Sequence, residues 1–274
     1  MTRVLSIANC KGGTGKSTTA VNLAAELGGR GHRILVVDLD PQGHAGLGFG
    51  ITADPGAPNA HTPLRGRRGA LSDGLRATAS DGVDLIPADR HFDGQIVAGD
   101  PRCLAEAIGP LAAGYDLVLL DVPPSAAALA VCALMASDGV IVPTTLDPLG
   151  LEGVRQFARA YHDVMLRFDA ARLGLAVAPM RIDLRTNVER GVLGRLRTDF
   201  GPGQMVRGIR TDVAVSEAFA LRRPLRGARP RSRAAEDFAA LADDVVRRFQ
   251  IDQRAALPGP PRGRAEGFSQ VIWA

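Results

Sequence analysis

The sequence predicts an α/β fold with a doubly wound, mostly parallel sheet, and three observations carry that expectation. Six short apolar runs recur along the chain: VLSIAN, RILVVDLD, VDLIPA, YDLVLLDVPP, DGVIVPTT and LGLAVAPM. They are nearly continuous in Val, Ile and Leu, as expected of strands covered on both faces. Helical patterns separate them, so the connections read as crossovers between parallel strands. The third observation is a glycine-rich stretch, NCKGGTGKST at residues 9 to 18, lodged between the first run and the first helical pattern.

Taken in order, the first run leads into the glycine stretch. STTAVNLAAELGGRG then combines Ala/Leu spacing with terminal glycines, predicting a helix that opens right after the loop and closes near Gly28 to Gly31. The second run carries Asp38 and Asp40 at its C-terminal end. Residues 52 to 69, TADPGAPNAHTPLRGRRG, are rich in Gly, Pro and Arg and predict a mobile surface excursion. VDLIPA and YDLVLLDVPP follow, the latter carrying Asp121, and AAALAVCALMAS reads as a buried helix. The alternation runs to about residue 250 without an internal repeat, so residues 1–250 are expected to form one domain. In the last helix, AAEDFAALADDVVRRF, Phe238, Leu241, Val245 and Phe249 make one stripe, while Glu236, Asp237, Asp243 and Asp244 make the other side acidic. That helix is expected to pack on the domain rather than on a membrane. The tail, residues 251–274, is Pro/Gly-rich and expected to lack regular structure, with Trp273 near its end.

Composition narrows the class. The chain has 274 residues, 46% hydrophobic and 23% charged, as in an ordinary globular protein. No apolar run approaches the ~18 to 20 residues that span a bilayer, and the first residues lack a signal-peptide layout, so a cytoplasmic location is expected. Cys10, Cys103 and Cys132 are widely spaced, which suits buried thiols better than a disulfide framework or a zinc site. The net charge of +4 is unevenly placed: residues 181 to 233 hold thirteen arginines against five acids, so the rest of the chain is net acidic. Lysine occurs only twice, at Lys11 and Lys16, both in the glycine stretch.

A glycine-rich turn between a buried strand and a helix can wrap backbone N–H groups around phosphate oxygens, and the helix N-terminus adds a partial positive charge. Gly12, Gly13, Thr14 and Gly15 supply that wrap, Lys16 is placed for the β- and γ-phosphates, Ser17 for Mg²⁺ and Thr18 for the α-phosphate side. The first glycine of the usual GxxxxGK[ST] pattern is replaced by Cys10. Ligands of doubly wound folds bind where strands end at the sheet's C-terminal edge, which is where Asp38, Asp40 and Asp121 fall. Asp121 suits a metal-bound water and Asp40 the attacking water, with Asp38 a further candidate for the metal.

KGGTGKST, VVDLDPQG, LLDVPPS and VPTTLDPLGLEGVRQF resemble the deviant Walker A ATPases of the ParA/MinD family, over residues 3 to about 250. The resemblance implies a P-loop NTPase of the deviant Walker A type that uses ATP and Mg²⁺. It also implies a nucleotide-sandwich homodimer in which Lys11, the family's signature lysine, crosses to the phosphates of the other subunit, much as an arginine finger does. MRIDLRTN resembles the ParA stretch that carries a DNA-binding arginine, here Arg185. Two positions depart from the family: Arg210 stands where a proline is usual, and Ala214 where a basic DNA contact is frequent. Arg207, Arg210, Arg222 and Arg223 are candidates to replace that contact.

The leading expectation is therefore a ParA-type partitioning or positioning ATPase. ATP drives dimerisation, the dimer binds nucleoid DNA without sequence preference through phosphate contacts, and a ParB-like or other adaptor stimulates hydrolysis. With the phosphate loop starting at residue 9, no helix-turn-helix extension precedes it, which argues against an operator-binding role. Two alternatives share the loop. A MinD-like membrane switch needs a basic amphipathic C-terminal helix, which the last helix does not provide. An iron–sulfur reductase ATPase needs cysteine ligands, whereas Cys103 and Cys132 read as core thiols.

Overall fold

The computed structural model describes residues 1–54, 56–65, 70–96, 99–124, 127–168 and 174–252. The expected tail beyond residue 252, Trp273 included, lies outside the described residues, as do residues 55 and 66–69 of the expected excursion.

In chain order the elements are β1 (Arg3–Ile7), α1 (Lys16–Gly28), β2 (Ile34–Asp38), α2 (His44–Gly48), β3 (Arg76–Ala77), β4 (Val83–Ile86), α3 (Cys103–Ala112), β5 (Leu117–Asp121), α4 (Ala127–Met135), β6 (Gly139–Thr145), α5 (Pro148–Arg167), β7 (Gly174–Ile182), α6 (Asn187–Phe200), β8 (Ile209–Arg210), α7 (Ala214–Ala220), α8 (Leu225–Ala228) and α9 (Arg233–Phe249). The strands form a sheet in the order β3-β4-β2-β5-β1-β6-β7-β8, parallel throughout except for β3 against β4. The six apolar runs are β1, β2, β4, β5, β6 and β7. The edge strands β3 and β8 have no counterpart among those runs, because two residues are too few to show a period. Edges this short also offer little template for pairing with another chain.

Burial on both faces explains the unbroken apolar runs. Leu5, Ile7, Ile34, Val36, Leu117, Leu119, Ile141 and Ala176 face one core, completed by α1, α7, α8 and α9. Leu35, Val37, Val118, Leu120, Val140, Val142 and Val177 alternate onto the other, completed by α3, α4, α5 and α6. Cys132 is buried in that second core, where its thiol meets that of Cys103. The stripe of α9, Phe238, Leu241, Val245 and Phe249, is spent on the first core. Among the described residues no helix is long and apolar enough to cross a membrane.

Two expectations are corrected here. Asp237 does not belong to a solvated acidic face of α9: it is 0% exposed. Residues 52 to 69 are not a surface excursion throughout, because Asn59, Ala60, His61, Thr62 and Leu64 are buried. Polar contacts, described below, draw this segment inward despite its turn-forming composition.

Candidate functional site

The loop of residues 9–15 is set by what precedes and follows it. Asn9 donates through Nδ2 to the Pro143 carbonyl at 2.8 Å and accepts from the Lys11 N–H at 3.0 Å, tying the loop to the end of β6. Gly13 and Gly15 have φ of 71° and 93°, the left-handed region that glycine enters without penalty. At Gly15 a Cβ would also lie 3.2 Å from Met180 Cε, a tight contact to which the methionine end would have to yield. Gly15 is the N-cap of α1, and no side chain caps that helix, so its first N–H groups remain available to a ligand.

Lys16 is buried at 6% exposure, with Nζ donating to the Lys11 carbonyl at 3.0 Å. Burial lowers its pKa against the opposing pull of Asp121 and Asp40. A cation so placed has its positive charge incompletely compensated, which suits polyphosphate. Lys11 turns elsewhere: its Nζ meets both carboxylate oxygens of Asp147, at 3.0 and 3.2 Å. Asp147 is the N-cap of α5, accepting from the Gly150 N–H at 2.8 Å, and the Thr145 hydroxyl donates to it as well. Partial burial pushes its carboxyl up, but the bonds from Thr145, Gly150 and Lys11 outweigh this and bring the pKa to about 2. The signature lysine is therefore paired within its own chain. Asp147 was not among the expected site residues, although its Asp-Pro start to a helix is legible in VPTTLDPLG.

The three acids converge as expected. Register pairs Asp38 directly with Asp121 at the ends of β2 and β5. Asp38 is fully buried, and both its oxygens accept from backbone: Oδ1 from Asp40 at 3.2 Å and Oδ2 from Gly46 at 2.9 Å. Burial first, and Asp121 next, raise its pKa well above the usual range. Asp38 thus serves the turn leading into α2 more directly than a metal. Asp121 is the reverse. Its two oxygens are buried without a hydrogen bond of ordinary geometry, and its pKa is raised by burial, with the Ser17 hydroxyl pulling the other way and Asp40 adding to the rise. A buried carboxylate beside Ser17 and Lys16 whose oxygens lack hydrogen bonds of ordinary geometry fits a hydrated divalent cation, which would add positive charge there. Asp40, 8% exposed, accepts the Gln42 N–H at 2.9 Å through Oδ1 and lines the cavity with its other oxygen unassigned.

Residues 12 to 18 and Asp40 open on a cavity of about 1400 Å³. Its far wall comes from the ends of β7 and β8 and from α7, including Met180, Arg181, Thr211, Val215 and Phe219. Arg181 was missed by sequence reasoning. It sits at a register shift in β7 with φ of 55°, which no short motif announces.

The arginine-rich region divides. Arg207 and Arg210 clamp the buried Asp237: Arg207 Nη2 lies 2.8 Å from Oδ1, and Arg210 Nε and N lie 2.8 and 2.9 Å from Oδ2. The opposing pulls on Asp237 are burial, which raises its pKa, and the Arg210 and Arg207 bonds, which lower it and prevail. These two arginines, candidates for DNA contacts, are partners of a buried acid while their side chains stay 50% and 39% exposed. Ala214, too, is buried, at the start of α7. Arg185, exposed on the loop between β7 and α6, pairs with neighbouring Asp183. Arg222 and Arg223 are exposed at the end of α7, and Arg222 has φ of 53°.

Among the described residues no group of three or more His, Cys, Asp or Glu side chains is arranged to hold a metal by itself.

Residues 2–171 match the family described as AAA domain. The chain is similar to the chromosome-partitioning ATPase Soj of Thermus thermophilus, at 37% identity over 90% of this chain and 97% of that protein. It is 32% identical to the sporulation initiation inhibitor protein Soj of Bacillus subtilis, over 90% and 99% of the two chains. Among solved structures, the septum site-determining protein MinD of Pyrococcus horikoshii with Mg-ADP superposes with a TM-score of 0.73, at 26% identity over 89% of this chain and 96% of that one. The ATP complex of Cyanothece McdA(D38A) shares the fold, with a TM-score of 0.79 at 18% identity over 93% and 99% of the chains.

Proposed function

The chain belongs to the ParA/MinD family of P-loop ATPases, and on that premise we propose a ParA-type partitioning or positioning ATPase acting as an ATP-dependent switch on DNA. The observation that carries the reading is the convergence of the phosphate loop, Asp40 and Asp121 at the C-terminal edge of the sheet, beside a cavity of about 1400 Å³. The relatives add the direction, since the Thermus protein is named a chromosome-partitioning ATPase.

In this reading residues 1–250 are the ATPase domain. The N–H groups of Gly12 to Thr18 cradle the phosphates of ATP, and Lys16 neutralises the β- and γ-oxygens. Ser17 and Asp121, the latter through water, would hold Mg²⁺, which would offset charge on the phosphate oxygens. Asp40 orients the attacking water. Lys11 leaves Asp147 and reaches the phosphates of a second subunit, so the homodimer forms only around ATP. Arg185, Arg222 and Arg223 lie on the exposed side of the basic region and meet DNA phosphates without reading bases. A ParB-like or other adaptor stimulates hydrolysis and releases the dimer, and the protein is cytoplasmic and nucleoid-associated.

The test is retention on a DNA-coated surface with ATP, ADP or no nucleotide, at salt from about 50 to 200 mM. Retention with ATP alone, falling steeply with salt, is expected. Equal retention in all three states, or capture by anionic lipid vesicles instead of DNA, overturns the reading.

A further inference from the structure

His61 is 0% exposed, in the segment whose composition suggests a surface loop. Its contacts assign its tautomer. The Asp89 N–H donates to Nδ1 at 3.0 Å, so the ring proton sits on Nε2, which donates to the Leu39 carbonyl at 3.0 Å. The ring stacks on Phe92, centroids 4.0 Å apart and planes 8° apart, and Phe92 itself lines the cavity. Asp89 pairs with Arg65 at 2.9 Å, and the Arg65 guanidinium lies over the Phe92 ring, 5.3 Å from its centroid.

The Leu39 carbonyl belongs to the peptide group that leads into Asp40. Among the described residues the other hydrogen bonds of that turn come from within residues 38 to 46 or from the neighbouring strand, such as Leu39 N–H to the Asp121 carbonyl at 3.0 Å, Asp40 N–H to Asp38, and Gln42 N–H to Asp40. Among the described residues His61 is the side chain that hydrogen-bonds the Leu39 carbonyl of the Leu39–Asp40 peptide. We propose that His61 is a positioning residue for Asp40, setting the orientation of the water-directing carboxylate through the Leu39 carbonyl. The proposal rests on the hydrolytic role assigned above to Asp40. Ala60 and Leu64 of this segment pack into the second core, and His61 adds a polar bond that core packing does not require, from Nε2 to the active-site turn. Burial keeps the imidazole neutral, with its pKa lowered to about 4, as the donor–acceptor pattern requires.

The two nitrogens allow a test that separates positioning from anchoring. His61→Gln carries an amide nitrogen to the place of Nε2, and so restores the bond to Leu39. His61→Asn reaches only the place of Nδ1, and so restores the bond to Asp89. Single-turnover ATP hydrolysis, nucleotide affinity and Tm are measured for both, for His61→Leu and for Asp40→Ala. His61→Leu and His61→Asn are expected to hydrolyse about 10- to 100-fold more slowly, with ATP affinity within about 2-fold of native, and His61→Gln to recover most of the rate. Combining His61→Asn with Asp40→Ala is expected to add no further loss. Should His61→Leu fail to fold, the Asn and Gln pair still decides. Equal rates for His61→Asn and His61→Gln, or native rates for both beside an inactive Asp40→Ala, overturn the role of His61. Normal turnover by Asp40→Ala overturns the assignment of Asp40 itself.

Discussion

Lys11 Nζ lies 3.0 Å from Asp147 Oδ1, so the lysine expected to cross a dimer interface is held by the N-cap of α5 in its own chain. The two side chains are 29% and 41% exposed, and a pair so hydrated contributes roughly 1 kcal/mol or less. Such a pair can be exchanged for a triphosphate at little cost. Asp147→Asn keeps a good helix cap and removes the competing charge. ATP-dependent dimerisation should tighten by roughly 2- to 5-fold with little change in Tm. Sedimentation velocity with ATP would show it, and a weaker or unchanged dimer would rule out competition at this site.

Asp121 is a fully buried carboxylate whose pKa burial raises to about 7, with only the Ser17 hydroxyl and the Lys16 ammonium pulling the other way. Replacing it should therefore spare the fold and cost the metal. Asp121→Ala without ligand should be as stable as native or more so by about 1 kcal/mol. The extra thermal stabilisation that Mg²⁺ gives over ATP alone should vanish. A variant that keeps the Mg²⁺-dependent increment would move the metal to other residues.

The arginines should separate by phenotype. Arg207→Ala and Arg210→Ala each weaken the clamp on buried Asp237 and should lower Tm by about 4 °C or more. Arg185→Ala and Arg222→Ala should leave Tm near native, weaken DNA retention and reduce the salt slope by about 1 per lost phosphate contact. Loss of DNA retention by Arg207→Ala at unchanged Tm would return that residue to the DNA surface.

His61 gives a pH dependence of known sign. Its pKa falls from 6.5 to about 4 on folding, so the native state binds fewer protons than the unfolded state. Burial is the main cause; Asp89 and Asp40 pull upward and Arg65 pulls downward. The resulting stability is full above pH 6.5 and is lost as pH falls toward 4, by about 3 kcal/mol in total. Asp121, with its pKa raised, acts in the opposite direction over an overlapping window. The contribution of His61 is therefore read as the difference between native protein and His61→Gln in urea unfolding across pH 7 to 4. Parallel curves would mean that His61 is not buried in its neutral form.

Legibility followed the range of the interactions. The phosphate loop was readable because GTGKST, its strand and its helix are contiguous, and α1 does close at Gly28. Asp38 and Asp121 were readable as strand ends, but their pairing depends on β2 lying beside β5, a neighbourhood that separates residues 83 positions apart. The burial of Asp237 was hidden, because a charged residue on an amphipathic helix reads as solvated until partners such as Arg207 and Arg210 arrive from another element. The inward path of residues 59 to 65 was hidden for the same reason.

The sequence by itself determined the parallel α/β sheet, the phosphate-binding loop and the three acids at its edge, because these follow from local periodicity and from residues adjacent along the chain. Only the tertiary structure decided what each charge faces. Lys11 meets Asp147 across 136 positions, Asp121 of β5 is buried beside Ser17 and Lys16 of α1, and His61 reaches the Leu39 carbonyl from 22 residues away. Charges and hydrogen bonds act over a few ångströms of space, and only the packing of strands and helices brings such distant residues within that reach.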